Sequence, residues 1–577
     1  MLMLNSLKNL GILLGGRKLY DEVEANKVIV LEFDNEGRFL GVELEEFKSE
    51  NLSKYLYRKA KGSNPPVLTP TLLLNRGKKK TKDKKSPIMK SLDNLEKAFN
   101  SCKKVQSDLP ALNLADEKQK QKIEEKIEEI VKNLPNKVKV LLTVRVGGKY
   151  IGEIENFRKA LEELVKQEGT KSKGIAVCSV CLEEKEVSGN ISPFRFYTID
   201  KPGYITGGFK EEEAYKNFPL CYECKERIET GRKFMEKELG FNLAGDIDYF
   251  LIPEVVFGNE NVMERILEII SNAPKKYKLR DIERKHLTAD EREILDILSE
   301  EKDYLTFNFL FLETGGGTNR ETILLYIQDI YPSRLKELFQ IKNYIEKLFT
   351  TEDKPFNFTY QTIHKFFSKS DPSKKNHDLR KLFLEVVDKT FRGIPIDRNL
   401  IIKFLLTGIR RALTEDNYSL IIKDAFGVFL FVLLSTGEEE MEEINTSSLN
   451  KFLESLPALD TDLKRGLFLI GALTERLLRV QSKERGSKPF MKKLKALRMN
   501  ENDLKGLLPE VRNKLEEYEK FGKGEAQLFE LASEYLSYSP SKWNMSVEEM
   551  NFYFALGMGM FDKVAEFIYK REGKDGE

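Results

Sequence analysis

The chain has 577 residues, 41% of them hydrophobic and 33% charged, and this length is too great for one hydrophobic core, so about two to four domains are expected. The 95 Lys and Arg residues nearly balance the 93 Asp and Glu residues, so the net charge of +2 points to no partner class and only local charge can do so. Four of the five cysteines form two close pairs and Cys102 stands alone, which excludes a disulfide framework and favours a reducing cytoplasmic location.

No segment of the chain is predicted to span a membrane. The longest apolar run covers residues 425–434, which is about half of the roughly 20 residues that a span requires, so it predicts a buried core helix. The N-terminal apolar stretch is shorter than that of a secretory signal and lacks a convincing cleavage site, so no export signal is expected.

The first predicted domain, residues 1–165, is of mixed α+β type. Two pairs of alternating apolar runs flank glycine-containing loops and predict β-hairpins, one over residues 27–47 and one over residues 137–154. Two charged segments, 116–133 and 155–167, place apolar residues on one stripe and predict solvated helices.

A basic run interrupts this domain. Residues 76–90 contain eight cations that are opposed only by Asp83, and flexible lysines of this kind neutralise phosphates without reading sequence. Just upstream, Tyr55 and Tyr57 are interleaved with cations, and tyrosine rings can stack on exposed bases. The pattern fits a nucleic-acid contact and a solvated loop equally well. The candidate phosphate ligands are Lys78, Lys79, Lys80, Lys82, Lys84 and Lys85.

A second predicted domain, residues 166–240, is organised by two CxxC pairs. Cys178 and Cys181 form the first pair, and Cys221 and Cys224 form the second. Two residues between thiolates let one tight turn aim both sulfurs at one point, so two such turns predict a tetrahedral Cys₄ site for structural Zn²⁺. Redox-active pairs or surface disulfides are the alternative, although a redox centre needs only one pair. The long insert between the pairs is expected to carry its own strand or to dock on the body.

Beyond residue 240 the sequence becomes increasingly helical. Residues 304–313 predict an aromatic strand that runs into Gly315-Gly316-Gly317, and no Walker A lysine follows those glycines. Long apolar stripes then predict a largely helical middle domain, 241–435, and a C-terminal helical bundle, 441–577, separated by an acidic break.

The C-terminal bundle contains a second basic segment. Residues 464–498 hold eleven Lys and Arg residues, and only Glu475 and Glu484 oppose them within the segment. Because compensating acids are missing nearby in the sequence, a phosphate track is favoured over an ordinary solvated face.

Catalytic patterns are not found. The histidines, His286, His364 and His377, form no metal-binding motif, and there is no nucleophile elbow or paired acid/base carboxylate motif. A structural zinc site, two basic regions and a helical bundle predict a nucleic-acid-binding scaffold and not an enzyme.

The segment from Phe196 to Phe234 reads FYTIDKPGYITGGFKEEEAYKNFPLCYECKERIETGRKF. Together with the preceding CxxC, it resembles the signature of the Csh-type large subunit of the type I-B CRISPR surveillance complex, Cascade. The segments DIYPSRLKEL, ELASEYL and FYFALGMGM are also similar to that family. The likeness is most specific between Cys178 and Phe234 and looser over the rest of the chain.

This resemblance implies an RNA-guided DNA-targeting assembly. Guide RNA supplies sequence by base pairing, while the large subunit checks the short protospacer-adjacent motif on duplex DNA, helps to open the duplex and holds the displaced strand. The implied partners are CRISPR guide RNA, target double-stranded DNA, the Cascade backbone, crRNA-end-binding and small subunits, and a recruited helicase-nuclease. The helical C-terminus is similar to the small subunit, so Met441 is a candidate internal start.

Within this interpretation, Gly207 and Gly208 with Lys201 are expected to approach the duplex near the adjacent motif. A further set is expected to line the path of a DNA strand: Arg476, Arg479, Lys492, Lys493 and Lys495. Two alternatives stay open, namely a zinc-ribbon nuclease with an unrecognised site and a purely structural subunit that binds guide RNA or sister subunits.

Overall fold

The computed structural model describes most of the chain. The described residues are 2–14, 19–60, 65–77, 85–135, 137–167, 172–189, 194, 210–255, 305–314, 321–350, 355–371, 373–414 and 418–569. They form two compact units, Met1–Phe234 and Met235–Glu577. The α+β class is confirmed, with sheets toward the N-terminus and a helical C-terminal region.

The N-terminal unit contains a five-stranded sheet. The strands are β1 Lys27–Phe33, β2 Phe39–Glu46, β3 Leu72–Leu73, β4 Val140–Val146 and β5 Lys149–Tyr150. β1 pairs antiparallel with β2 and β4 pairs antiparallel with β5, so both predicted hairpins are confirmed. β1 and β4 pair in parallel at the centre of the sheet, which explains their continuous buried apolar runs.

Helices complete the N-terminal unit, and the second to fifth of them contribute buried residues to the core beside this sheet. They are α1 Leu2–Leu13, α2 Leu52–Tyr55, α3 Pro87–Val105, α4 Glu117–Lys132, α5 Glu155–Gln167 and α6 Tyr222–Glu238, the last of which ends in the second unit. The two helices predicted around residues 116–133 and 155–167 are confirmed as α4 and α5. The Ser86 hydroxyl accepts from the Met89 N–H at 3.0 Å and caps α3, whose first turn contains the last residues of the basic run.

Two smaller sheets follow. The strands β6 Lys173–Val177, β7 Glu184–Ser188 and β8 Leu220–Cys221 form an antiparallel sheet around the cysteine pairs. In the second unit, the four-stranded antiparallel sheet contains β9 Gly240–Ala244, β10 Ile247–Val255, β11 Leu305–Thr314 and β12 Glu321–Ile330. The predicted aromatic strand is confirmed as β11, while the glycines that follow it lie outside the described residues.

Helices make up the rest of the second unit. They are α7 Pro332–Phe349, α8 Tyr360–Phe367, α9 Arg380–Arg392, α10 Arg398–Ala412, α11 Tyr418–Ser435, α12 Leu449–Glu454, α13 Asp462–Arg485, α14 Glu501–Glu517, α15 Lys523–Ser537, α16 Val547–Gly559 and α17 Phe561–Tyr569. α11 is long and apolar enough to cross a membrane, but 78% of it is buried within the unit. The predicted core helix over residues 425–434 is thus confirmed.

α13 and α16 cross at very short range in the centre of the bundle. A Cβ added to Gly471 would lie 1.8 Å from the Phe554 carbonyl oxygen, and one added to Gly557 would lie 1.7 Å from the Phe468 carbonyl oxygen. Only glycine permits this approach of two backbones. α16 also packs on α10 and α11, with the Phe429 ring 5.0 Å from that of Phe552. The domain boundaries placed at residues 165, 240 and 435 stay predictions.

Candidate metal centre and nucleic-acid interface

The four cysteines of the two CxxC pairs meet at one point. Their sulfur atoms all lie within 4.8 Å of one another, and the Sγ atoms of Cys181 and Cys221 are 3.9 Å apart. Cys178, Cys221 and Cys224 are buried, and Cys181 is partly exposed. Two separate surface disulfides would not converge in this way, whereas four thiolates of one tetrahedral site would.

Backbone geometry aims the sulfurs inward. After β6, the Leu182 N–H donates to the Cys178 carbonyl at 2.9 Å, and Leu182 takes a left-handed φ of 61° to close the turn. The second pair begins at the end of β8 and continues into α6, so β8 positions Cys221 and the first turn of the helix positions Cys224. The Cys221 N–H donates to Cys178 Sγ at 3.4 Å and links the two pairs.

The electrostatics of this cluster favour a cation. Burial opposes ionisation of Cys178, but N–H donors from Cys221, Cys181 and Val180 outweigh it and lower the pKa of this thiol to about 7. Burial raises the pKa of Cys221 to about 11, and burial with neighbouring thiolates raises the pKa of Cys224. Ionisation of Cys221 and Cys224 in addition to Cys178 therefore needs a compensating positive ion, and binding of that ion releases protons.

The donor set fits zinc. Four sulfur ligands at one point suit Zn²⁺ or another soft metal ion, and the closed set leaves no position for substrate. Cys178, Cys181, Cys221 and Cys224 would hold the ion, and its contribution would be to the folding of β6, β7, β8 and the start of α6. Cys102 lies apart in the apolar core of the N-terminal sheet, where burial raises the pKa of its thiol to about 12.

The C-terminal basic segment is less positive than its sequence indicates. Arg476 pairs with Glu525 at 2.7 Å, and Arg479 pairs with Glu475 at 2.9 Å and with Asp562. Lys493 pairs with Glu510 and Lys495 pairs with Asp503, both at 2.6 Å. The expectation that compensating acids are missing is therefore wrong. Most of these acids belong to α14, α15 and α17, which approach the segment only in the folded bundle.

Some cations of the segment nevertheless have no carboxylate partner among the described residues. These are Lys483, Arg485, Lys488, Lys492 and Arg498. Lys483 and Lys488 line a cleft of about 410 Å³ together with Arg479, Tyr418 and Glu475. Burial raises the pKa of Glu475, while hydrogen bonds from Tyr418 and Arg479 oppose the rise, and this one carboxyl faces three cations in the cleft.

Three lysines of the predicted strand path lie on one strained turn, residues 489–499, which we call the basic turn. Lys495, Ala496 and Leu497 have φ of 48°, 50° and 60°, a left-handed conformation that costs each residue about 1 to 2 kcal/mol. Lys492, Lys493 and Lys495 are exposed on it. Such strain persists only where surrounding contacts impose it, so the presentation of these lysines is set by the fold.

Polar side chains from three helices, two of them buried, hold the basic turn. The Asn551 side chain accepts from the Met499 N–H at 3.1 Å and donates to the Met499 carbonyl at 2.8 Å. Gln481 accepts from the Phe490 N–H at 2.9 Å, and Arg410 donates to the Leu497 carbonyl at 2.8 Å. The bundle core thereby dictates the conformation of an exposed cationic loop.

We expect Ala496→Gly to stabilise the protein by about 0.5 to 1 kcal/mol, because glycine adopts a positive φ without the steric cost that alanine meets. Ala496 is exposed, so the change removes no packing. Urea unfolding of the variant and the parent measures the difference. A loss of stability in Ala496→Gly would contradict the left-handed conformation of Ala496. Ala526→Gly within α15 is the control, and it is expected to lower the stability, because glycine destabilises a helix interior.

Three family models match the chain in sequence order. The N-terminal domain of CRISPR-associated protein TM1802 (cas_TM1802) matches residues 3–163, its central domain matches residues 175–330, and its C-terminal domain matches residues 358–572. The chain belongs to the CRISPR-associated TM1802 family. No curated protein matches the chain. The predicted CRISPR association is confirmed, and the narrower assignment to a type I-B large subunit stays a prediction.

The central TM1802 segment contains the cysteine cluster and its insert. Lys201, Gly207 and Gly208, which were expected near the adjacent motif, lie outside the described residues. The insert between the cysteine pairs carries its own strand, β7, and Phe194, the described residue between positions 190 and 209, is buried beneath the Arg232 guanidinium, 4.4 Å from the ring centroid. Because Arg232 belongs to α6, the insert docks on this helix at least through Phe194.

In the N-terminal TM1802 segment, five of the candidate lysines, Lys78, Lys79, Lys80, Lys82 and Lys84, also lie outside the described residues. Lys85 donates to Asp93 at 2.7 Å. Arg76 of the same run donates to backbone carbonyls at and beyond the C-terminal end of α4, including that of Leu134 at 2.8 Å. The described cations of this run are therefore engaged within the protein.

The proposed base-stacking tyrosines are core residues. Tyr55 is fully buried and Tyr57 is 3% exposed, so the expectation that they face nucleic acid is wrong. The Tyr55 ring packs edge-on against Tyr150, 5.4 Å between centroids, and against Phe47. Two neighbouring cations are also paired, Lys54 with Glu153 at 3.7 Å and Arg58 with Asp21 at 3.3 Å. The tyrosines alternate with cations because one face of this segment is buried and the other is not.

One cluster of possible metal ligands in this TM1802 protein matches no sequence motif. The structure brings His364 and His377 together with Asp246, so that their possible ligand atoms lie within 4.8 Å of one another. The three residues come from separate elements, which is why no spacing rule detects them. The only available signal was the scarcity of histidine, three residues in the whole chain.

Proposed function

We propose that this TM1802 protein is the non-catalytic large subunit of a type I-B CRISPR RNA-guided DNA surveillance complex in the cytoplasm. The observation that carries the proposal is the ordered match of three CRISPR-associated domain models, which span residues 3–163, 175–330 and 358–572. The likeness of residues 178–234 to the Csh-type signature supports the narrower assignment.

In this role the subunit reads the protospacer-adjacent motif on the DNA duplex, while guide RNA reads the remaining sequence by base pairing. It binds duplex and displaced-strand DNA, supports R-loop formation and provides the landing surface for the helicase-nuclease. Its direct protein partners are the Cascade backbone, crRNA-end-binding and small subunits.

Two features of the C-terminal unit support DNA binding. The basic turn presents Lys492, Lys493 and Lys495 to solvent, and Lys483 and Lys488 line a cleft without carboxylate partners in the described part of the chain. Lysines contact phosphates as point charges and carry no sequence information, which suits a surface that must accept any target strand. Surface ion pairs such as Lys493 with Glu510 contribute roughly 0 to 1 kcal/mol, so a phosphate can replace the carboxylate at little cost.

A duplex-selection experiment tests this function. Purified protein is incubated with DNA duplexes that carry a randomised flank beside one fixed sequence, and the bound fraction is sequenced. We expect enrichment of one short flank. Uniform recovery of all flanks, with binding to guide RNA only, would favour the purely structural subunit.

The same protein, incubated with labelled single- and double-stranded DNA and Mg²⁺ or Mn²⁺, is expected to leave both substrates intact. Specific cleavage would favour the nuclease alternative. A helicase-nuclease contaminant is distinguished by its requirement for ATP, so the incubation is repeated with and without it.

Met441 is proposed as an internal start that yields a separate small-subunit-like product. It is 41% exposed and lies between α11 and α12. When a gene with Met441→Leu is expressed with a C-terminal tag, we expect the short band on a blot to disappear. The leucine codon is chosen so that it does not serve as a start codon. A short band of unchanged intensity would eliminate Met441. Met491→Leu, a methionine within the basic turn, is the control that keeps the band.

A further inference from the structure

Three segments of the second unit converge around two imidazole rings. Asp246 lies on the turn between β9 and β10, His364 lies on α8, and His377 lies in the segment that leads into α9. The rings of His364 and His377 are nearly parallel, with centroids 5.5 Å apart and 23° between their planes. One possible ligand atom from each residue, including a carboxylate oxygen of Asp246, lies within 4.8 Å of the other two.

Both imidazoles have a buried nitrogen that makes no hydrogen bond among the described residues. These atoms are Nε2 of His364 and Nδ1 of His377. His364 is only 4% exposed, so bulk water does not supply its partner. A buried polar atom left without a partner costs about 1 to 3 kcal/mol, so each of these two nitrogens calls for a partner from outside the described residues.

The surroundings keep His364 in the form that binds metals. Burial lowers the pKa of His364, the nearby His377 and Arg380 lower it further, and Asp246 acts in the opposite direction. The lowered pKa favours the neutral imidazole, which offers a lone pair to a metal ion. Arg380 does not neutralise the carboxylate of the cluster, because its guanidinium pairs with Glu313.

The turn that carries Asp246 is built for a close approach to α8. Gly245 has a φ of +59°, and a Cβ there would lie 2.9 Å from Cε1 of His364. Its N–H donates at 2.7 Å to the side chain of Gln361, one turn before His364 on the same helix. Asn242 donates to the Gly245 carbonyl at 3.2 Å and fixes the turn from the other side. These two hydrogen bonds join side-chain amides to the backbone of Gly245, so they fix the turn against α8 without involving the carboxylate or the imidazole.

We propose that Asp246, His364 and His377 bind a divalent transition-metal ion of the Zn²⁺ class, separately from the four cysteines. Two imidazoles and one carboxylate suit Zn²⁺, Co²⁺ or Ni²⁺, whereas Mg²⁺ and Ca²⁺ prefer oxygen ligands. Bonds of about 2.0 to 2.2 Å place ligand atoms of one ion about 3 to 3.5 Å apart, so small side-chain rotations complete the site.

A site with three protein ligands has at least one position left for water or an external ligand. The ion would also tie the β9–β10 turn to α8 and to the segment before α9, three pieces that are distant in sequence. The proposal does not depend on the proposed function. DNA cleavage by the zinc-loaded protein would overturn the non-catalytic assignment and leave the metal site in place.

Metal stoichiometry tests this site in the full chain. The protein is stripped with chelator, reloaded with Zn²⁺ at a buffered concentration, and its zinc content is measured by mass spectrometry. We expect two zinc ions per chain in the parent and one in Asp246→Asn and in His377→Gln. Neither residue is fully buried, so both variants are expected to fold. Asp388→Asn, which removes a carboxylate of α9 paired with Arg392, is the control that keeps two ions.

Reloading with Co²⁺ distinguishes the two sites. The thiolate charge-transfer absorption reports only the cysteine cluster, so we expect it to be unchanged in Asp246→Asn and His377→Gln while the total cobalt falls by one ion per chain. A parent that holds a single ion, or variants that still hold two, would overturn the proposal. Unaltered far-UV circular dichroism of the two variants separates loss of a ligand from loss of the fold.

Discussion

Cys178→Ser is expected to remove one zinc ion per chain and to unfold the small sheet that surrounds the cysteine cluster. This sheet has little core of its own, because Ile175 is 75% exposed, Val177 is 54% exposed and Leu182 is 71% exposed. Structural zinc supplies about 10 to 16 kcal/mol of apparent binding free energy in small domains, far more than such a sheet can bury in apolar contacts. Without the ion, the thiols also lose the cation that stabilises their charge.

Zinc content and amide hydrogen exchange measure the effect together. We expect peptides from residues 172–189 and 210–234 to lose protection in Cys178→Ser, while peptides from α13 and α16 keep theirs. Cys102→Ser is the matched control, because Cys102 lies in a different core and only donates to the Leu68 carbonyl at 3.3 Å. Full zinc content and unchanged exchange in Cys178→Ser would show that the cluster is not a structural metal site.

Replacing Lys492, Lys493 and Lys495 together by alanine is expected to weaken DNA binding for all sequences alike. Each phosphate contact contributes about 0.9 to the slope of log affinity against log salt, so loss of three contacts lowers the slope by roughly 2 to 3. The three lysines are exposed, and the ion pairs of Lys493 and Lys495 are on the surface, so the free energy of unfolding should change by less than about 1 kcal/mol. Fluorescence anisotropy with labelled DNA over a salt series measures both affinity and slope.

Arg479→Ala is the informative comparison for that triple variant. Arg479 forms ion pairs with two carboxylates, that of Glu475, which is only 5% exposed, and that of Asp562 on α17. Its removal leaves Glu475 with Tyr418 as its remaining side-chain hydrogen-bond partner among the described residues, at 2.7 Å, and we expect a loss of about 2 to 3 kcal/mol of stability. The salt dependence of DNA binding by the folded variant should change little. An unchanged slope in the triple lysine variant would remove the basic turn from the DNA path.

Local features of this chain are predictable from its sequence because their physical cause is local. The two residues between the cysteines of each pair define a tight turn. Apolar residues that alternate with polar ones on both sides of Gly147-Gly148 define a hairpin, and a continuous run of apolar residues defines α11. Each of these patterns is decided within about 20 residues, and the structure contains all three.

Charge and exposure were harder to predict because their cause is tertiary. Asp562 neutralises Arg479 from 83 residues away, and Tyr55 becomes a core residue through a strand that follows almost 100 residues later. The cluster of Asp246, His364 and His377 is the extreme case, since its ligands come from a turn, a helix and a connecting segment. A count of charges along the chain cannot detect any of these relations.

Co-purification tests the central claim most directly. The tagged chain is expressed in its native host and isolated at moderate salt, and the bound nucleic acid and proteins are identified by sequencing and mass spectrometry. We expect a short guide RNA with CRISPR repeat sequence and several copies of repeat-like backbone subunits to accompany it. A chain that elutes alone, or with proteins unrelated to CRISPR defence and without RNA, would contradict its assignment to a surveillance complex.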